Sequence, residues 1–451
     1  MDGIREVGVM DILRARDERV ARQKAMLQRH GLPLISFTMN IAGPVKTDPL
    51  IRRAFLEGAA RIEAMLAARR AVVHERIQTL EFTGNEALWA VEADAALLKA
   101  WMRAIEEGHP LGRLFDIDVL DISGAKLARE EHRKCLICGG DVHACGRSRA
   151  HSADEIFRRT REMIQSYYAG EHARFVGMCA QRALLYEAVT TPKPGLVDAA
   201  DNGAHDDMNL FSFMASASAL GGWFEQAARI GGMDVSDGEA FAYLRAGGIR
   251  AESEMLRATQ NVNTHKGALF SLGVACCAAG RMGEGAAAEE ILACAARIAR
   301  HALKDFDGLN PETVSTGGEQ QYIQSGLTGI RGEAAAGFPS VWKYGLPALQ
   351  AALERGESIN DAGLYALVSL MAHVPDSNIL RRRGEGALRD VQARAGRLSR
   401  NGFTHGDLRA MNADFIRENI SPGGSADLLA LTYFLHLITK DHGGKPHECN
   451  P

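Results

Sequence analysis

The pattern of the chain changes near residue 168, and this constrains its fold more than any other feature. Nearly all of residues 169–451 reads as helix, with apolar residues recurring at three- and four-residue spacing. The predicted helices are Ala173–Val189, Asn209–Ile230, Gly238–Leu244, Ile249–Asn261, Gly267–Ala279, Glu284–Leu303, Ala348–Arg355, Asp361–His373, Glu385–Asn401, Asp407–Glu418 and Ala426–Lys440. Ser425 is placed to cap the last of them. Gly- and Pro-rich loops with conspicuous polar residues lie between: TTPKPGLVDAADNGAHDDM, NVNTHKG, STGGEQ, GLTGIRGEAAAGFPS, PDSN and SPGGS. Loops on a rigid helical frame are where chemistry usually sits.

Residues 1–168 are mixed. LISFTMNI (34–41) is β-branched and closed by Ala42-Gly43-Pro44, so it reads as a strand. Residues 71–82 and 114–122 read as further strands, and 54–70 and 86–103 as helices, the latter following a Gly84-Asn85 break. The expected architecture is two domains, an α+β domain over 1–168 and an all-α domain over 169–451, with the boundary inside Ile164–Arg174.

Composition narrows the class. Hydrophobic residues make up 46% of the 451 and charged residues 24%, the balance of a folded globular chain. The net charge of −4 argues against a nucleic-acid coat. No apolar run reaches the roughly 18–20 residues that span a bilayer. The N-terminal segment has no signal-type apolar core, so a cytoplasmic protein with no membrane partner is expected. Eight cysteines are too few for a disulfide scaffold and suggest reduced thiols.

Three groups of residues suggest chemistry. In LFDIDVLDI, alternation sends Phe115, Ile117 and Val119 to one face and Asp116 and Asp118 to the other. Two carboxylates on one strand face can share Mg²⁺, which takes one or two carboxylates plus substrate phosphates. A basic stretch follows, with Arg133, Arg147 and Arg149 as candidate phosphate ligands. Inside it, Cys135-x-x-Cys138 with Cys145, His143 and His151 invites a zinc reading. The compressed spacing and the lack of a second CxxC favour buried reduced thiols instead. In the helical half, His205 and Asp206 are candidate acid and base, and Asp207 a candidate metal ligand. Lys193, His265, Lys266, Arg331, Glu333 and Asp427 lie in these loops or at helix starts and are candidates for binding substrate or phosphate. His405-Gly406-Asp407 with Asn412 imitates a kinase catalytic loop, but no DFG-type aspartate follows, so it reads as a capped helix.

The motifs carry a resemblance. LISFTMNIAGPVK (34–46), GRLFDIDV (112–119) and RKCLICGGDVHACGRSRAH (133–151) resemble apo-citrate lyase phosphoribosyl-dephospho-CoA transferase. TPKPGLVD (191–198), GAHDDM (203–208), NTHKG (263–267), GIRGEAAAGFP (329–339), DSNI (376–379) and SPGGSADLLAL (421–431) resemble triphosphoribosyl-dephospho-CoA synthase. The pair resembles the fused bifunctional form. The resemblance implies ATP and 3′-dephospho-CoA as substrates, with adenine released. It also implies transfer of the phosphoribosyl-dephospho-CoA unit to a serine of the citrate lyase acyl carrier (gamma) subunit, with pyrophosphate released. On this reading the D-x-D strand is similar to that of nucleotidyltransferases. Two alternatives stand: the same chemistry on a malonate decarboxylase carrier, or a non-catalytic, zinc-stabilised carrier-docking module in the first half.

Overall fold

The computed structural model describes residues 5–128, 133–307 and 326–440, together with 309, 314, 320, 322 and 323. Of the STGGEQ loop, all but Gln320 lies outside the described residues. The chain divides into two compact units, Met1–Tyr168 and Ala169–Pro451.

The first unit is a four-stranded antiparallel sheet with helices on both faces. Its elements are α1 (Val9–His30), β1 (Leu34–Met39), α2 (Pro49–Ala68), β2 (Val72–Glu81), β3 (Gly84–Glu92), α3 (Ala95–Gly108), β4 (Phe115–Leu120), α4 (Val142–Ser148) and the first part of α5 (Ala153–Val189). The strand order is β2-β3-β1-β4. On one face Ile35, Phe37, Trp89 and Ile117 pack with Phe55 and Ile62 of α2 and Leu98 and Met102 of α3. On the other, Leu34, Leu88, Ala90 and Leu120 pack with Met26 of α1.

This two-sided cover explains one departure from the sequence reading. Residues 86–103 do not form one helix: Gly84–Glu92 is strand β3, and α3 begins only at Ala95. A strand buried on both faces reads as a continuous apolar run, and Glu86-Ala-Leu-Trp-Ala-Val has the composition of a helix as well. Tertiary pairing decided it. The inward Glu86 is matched by Arg19 (2.8 Å) and Arg22 (2.7 Å) of α1.

The second unit contains helices and no strand among its described residues. They are the rest of α5, then α6 (Leu210–Gly231), α7 (Asp237–Ala258), α8 (Lys266–Met282), α9 (Ala288–Ala299), α10 (Gly329–Ala335), α11 (Leu346–Glu354), α12 (Ile359–His373), α13 (Ser377–Asn401), α14 (His405–Arg417) and α15 (Gly423–Lys440). Helix α7 replaces the two separate helices expected around Ala246-Gly247-Gly248. These glycines do not break the helix. A Cβ on Gly247 would lie 2.1 Å from the Trp223 ring, so the residue is small to admit the indole. Helices α6 and α8 approach as closely, since a Cβ on Gly280 would lie 2.0 Å from the Ala228 carbonyl oxygen. Ser425 is not the N-cap of α15, which starts two residues earlier; its backbone N–H and hydroxyl both donate to Asp376 (2.8 and 3.2 Å). The kinase-like segment is the capped helix α14, with Thr404 accepting from Asp407 N (3.2 Å). No helix among the described residues is long and apolar enough to cross a membrane.

Candidate active sites

In the first unit the outer edge of β4 forms one wall of a cleft of about 390 Å³. An edge strand presents unpaired backbone groups. Here side chains pair them: Glu106 accepts from Ile117 N–H (3.0 Å), and Lys99 donates to the Ile117 carbonyl (3.1 Å). Glu106 is buried and also holds the Arg133 guanidinium. Burying a carboxylate requires such partners. Asp116 and Asp118 line the cleft from the polar side of β4, as the alternation predicts. Asp118 pairs with Lys126 (2.6 Å), and Asp116 lies 3.8 Å from Arg133. Asp116 is the more open of the two, its side chain 46% exposed. The cleft therefore offers two hard carboxylates beside Lys99, Lys126 and Arg133. Arg147 and Arg149 are placed elsewhere, exposed in α4 and at its C-cap, and are absent from the cleft lining.

In the second unit the candidates fall into three groups. The first is buried. Lys193 is fully buried, and its ammonium donates to the carboxylate and carbonyl of Glu187 near the end of α5. Lys193 N–H donates to Asp198 (2.8 Å), which also accepts from Ala200 N and Asp201 N and ties down the TPKPGLVD loop. Asp427, in the first turns of α15, accepts from Ala268 N at the start of α8 (3.0 Å). A Cβ on Gly267 would lie 2.0 Å from its carboxylate, so glycine is needed there. Asp376 caps α13 and accepts from Asn378 N (2.9 Å) and Ser425 N (2.8 Å). Burial pushes the carboxyls of Glu187, Asp376 and Asp427 above the usual range, and the charges of Glu187 and Asp376 push Asp427 further. Among the described residues, the buried Glu187, Asp198 and Asp376 and the half-buried Asp427 thus share one region with Lys193.

His265 belongs to the same group. Its Nδ1 pairs with Ser216 Oγ (2.7 Å), and its buried Nε2 has no hydrogen-bond partner among the described residues. Burial, reinforced by the Lys193 charge, pushes its imidazole down to about 3. The ring is therefore neutral at physiological pH. Its NMR ring signals are expected to stay at the neutral position from about pH 8 down to about pH 5, unlike those of an ordinary histidine. A midpoint near 6.5 would refute this. Because the folded value lies below the unfolded one, the unfolded chain binds the extra proton first. Stability is therefore lost as pH falls from about 6.5 toward 3.

The second group lies around His205, which meets Ser421 Oγ (2.8 Å), Arg382 (3.4 Å) and Asp207 (3.7 Å). Burial and the Arg382 charge hold its imidazole below the usual value. Asp206 and Asp207 are exposed. The SPGGS turn connects the two groups, since Ser421 bonds His205 and Ser425 bonds Asp376. The third group is Arg331, paired with Asp305 (3.3 Å), and Glu333, which accepts from Ser340 N (2.7 Å) and is raised by burial. Lys266 points outward to Glu252.

Sequence reasoning did not select Glu106, Glu187, Asp376 or Arg382. The signal for Glu106 and Glu187 was a carboxylate on the apolar face of a helix, as in Leu184-Leu185-Tyr186-Glu187-Ala188. Such a position costs free energy unless it is paired.

Comparison with known proteins gives both halves a counterpart. The family model "CitX: Apo-citrate lyase phosphoribosyl-dephospho-CoA transferase" matches residues 7–167. The family model "CitG: ATP:dephospho-CoA triphosphoribosyl transferase" matches residues 173–446. Protein CitXG of Haemophilus influenzae is 34% identical, over 95% of this chain and 96% of that protein. Protein CitXG of Leuconostoc mesenteroides subsp. cremoris is 32% identical, over 96% of this chain and 98% of that protein. A 2-(5″-triphosphoribosyl)-3′-dephosphocoenzyme-A synthase of Pectobacterium atrosepticum is 38% identical, over 61% of this chain and 93% of that protein.

Proposed function

Because this chain belongs to the family of CitX–CitG fusion proteins, we propose that its two sites act in sequence to make and attach one prosthetic group. The chain is a bifunctional transferase of citrate lyase prosthetic-group biosynthesis. The second unit joins ATP and 3′-dephospho-CoA into 2′-(5″-triphosphoribosyl)-3′-dephospho-CoA and releases adenine. The first unit transfers the phosphoribosyl-dephospho-CoA unit to the apo-citrate lyase acyl carrier and releases pyrophosphate. The partner is the gamma subunit, modified on a serine.

The observation that carries the synthase site is the excess of buried acid over base around Lys193. In this step the 2′-hydroxyl oxygen of dephospho-CoA bonds to C1′ of the ATP ribose, and the C1′–N9 bond to adenine breaks. Positive charge develops on the sugar, and carboxylates in a low-dielectric site stabilise it. Glu187, Asp376 and Asp427, whose protonation is raised by burial, are drawn to their ionised forms as that positive charge develops, and Lys193 holds Glu187 in place. Asp427 is the carboxylate best suited to hold Mg²⁺: burial first, and then the charges of Glu187 and Asp376, raise its protonation range, and a cation would offset that acid repulsion. Bound Mg²⁺ would neutralise the triphosphate. We assign His205, partly buried and held below the usual imidazole range, to accept the hydroxyl proton, which ends on the departing adenine, and the Nε2 of His265 to bond the nucleotide. Lys266 and Arg331 serve the phosphates from the rim, and Asp206 and Asp207 are secondary candidates for proton transfer and metal binding.

In the transferase step the carrier serine Oγ bonds to the phosphorus nearest the ribose, and the bond from that phosphorus to pyrophosphate breaks. Asp116 and Asp118 fit Mg²⁺ as paired hard donors at an open cleft, and bound Mg²⁺ would neutralise the departing pyrophosphate. Lys99, Lys126 and Arg133 add positive charge, and Asp116, the more open carboxylate, accepts the serine proton.

The test is mass spectrometry of the full chain with ATP, dephospho-CoA and Mg²⁺, followed by addition of the apo carrier. Free adenine is expected first, then a carrier mass gain of one phosphoribosyl-dephospho-CoA. No adenine would overturn the synthase reading. Adenine with modification of only a malonate decarboxylase carrier would overturn the choice of partner.

A further inference from the structure

We infer that Cys135, Cys138, Cys145 and His151 form a structural zinc site that holds residues 135–151 together. One ligand atom from each of the four lies within 4.8 Å of the others. A tetrahedral Zn²⁺ with bonds of about 2.3 Å to sulfur sets its ligands roughly 3.8 Å apart. The Cys138 and Cys145 sulfurs, 3.4 Å apart, are close to that spacing and well beyond the roughly 2.05 Å of a disulfide. Three soft sulfurs and one imidazole select zinc over the hard cations proposed for the two active sites.

The backbone around the cluster is shaped for a metal. Cys135 N–H donates to the Gly140 carbonyl (2.6 Å), and Gly139 N–H donates to the Cys135 carbonyl (3.1 Å). These bonds fold Cys135-Leu-Ile-Cys138-Gly-Gly into a tight knuckle. Gly139 has a φ of 71°, in the left-handed region where glycine carries no Cβ penalty. Cys145 comes from α4, and His151 from the turn ahead of α5. His151 faces the Cys138 thiol, its Nε2 is shielded from solvent with no geometric hydrogen-bond partner among the described residues, and its Nδ1 lies 3.7 Å from Glu155. A carboxylate behind an imidazole is the usual orienting partner of a metal-bound histidine.

Helix α4 supplies an independent reason. It has seven residues and buries none of them. So short a helix with no apolar anchor is unstable in water, and a metal cross-link through Cys145 gives it one. The remaining described cysteines behave differently: Cys179, Cys276, Cys277 and Cys294 sit in the apolar core of the second unit. Of the three clustered thiols read from the sequence as buried, Cys135 is buried, Cys145 is half-buried and Cys138 is exposed. The site also has a consequence for the cleft. Arg133 and His143 both line it, and both lie on or beside the clamped segment.

The test is elemental analysis of the untagged full chain purified under reducing conditions. About one zinc per chain is expected, with Co²⁺ exchange giving thiolate-to-metal charge transfer and the intense visible bands of tetrahedral cobalt. Cys138→Ser and His151→Ala should each lower bound zinc by roughly tenfold or more at matched free zinc. Adenine release serves as the folding control, because the second unit contains neither residue. A zinc-free wild-type chain that takes up no cobalt would overturn the site. So would iron in place of zinc, or zinc content unchanged in both variants. Metal content is read without any assay of carrier loading, so failure here is distinct from failure of the proposed transferase reaction.

Discussion

Asp118→Asn is expected to slow carrier loading by about 10³-fold while adenine release stays within about twofold of wild type. The substitution keeps the shape of the side chain and removes the charge that pairs with Lys126 at 2.6 Å. Asp118 is partly exposed on an edge strand whose core-facing residues are unchanged, so the fold has little reason to fail. Asp116→Asn should fall by a similar factor. The measurement is carrier mass gain against time in the presence of preformed triphosphoribosyl-dephospho-CoA. Near-wild-type loading by both variants would reject catalysis at this cleft and favour a non-catalytic docking unit.

Lys193→Met should be damaging in a different way. The lysine is fully buried, and its ammonium neutralises Glu187 inside the second unit. Removing one partner of a buried pair leaves an uncompensated charge, at a cost of about 3–5 kcal/mol. Glu187 would then lie near Asp427 with nothing to offset it. The sign of the pH dependence follows. A carboxyl whose folded-state pKa is raised keeps its proton after the unfolded chain has lost its own. The variant should therefore be least impaired below about pH 4.5 and lose stability as pH rises. The double variant Lys193→Met, Glu187→Met replaces both partners with apolar groups and should recover most of the stability. It should not recover adenine release. Denaturation midpoints of the three variants against pH, with adenine assayed in parallel, separate the structural role from the chemical one. Adenine release by the double variant at the wild-type rate would remove the buried pair from the site.

Much of this was legible in the sequence because it is local. Alternation alone put Asp116 and Asp118 on the polar face of β4, since a strand's period of two is fixed by its backbone. Helical periodicity found nearly every helix of the second unit, and the loops between them carried the family motifs. The cluster of Cys135, Cys138 and Cys145 with His143 and His151 was visible too, though the sequence does not choose between the two histidines. Spacing along the chain does not show that His151 turns back to meet them.

Tertiary structure decided what depends on contacts between distant residues. Glu86-Ala-Leu-Trp-Ala-Val can form either helix or strand; two helical layers and two neighbouring strands made it β3. Gly247 looked like a break until Trp223, twenty-four residues earlier, was found against it. Arg147 and Arg149 belong to the basic stretch, yet the cleft takes its positive charge from Lys99, Lys126 and Arg133. Glu187, Asp376 and Asp427 come from three helices far apart in sequence, and their protonation is set by mutual proximity and burial. Periodicity and residue type are properties of the chain itself. Burial, charge pairing and metal geometry depend on which distant segments the fold brings together.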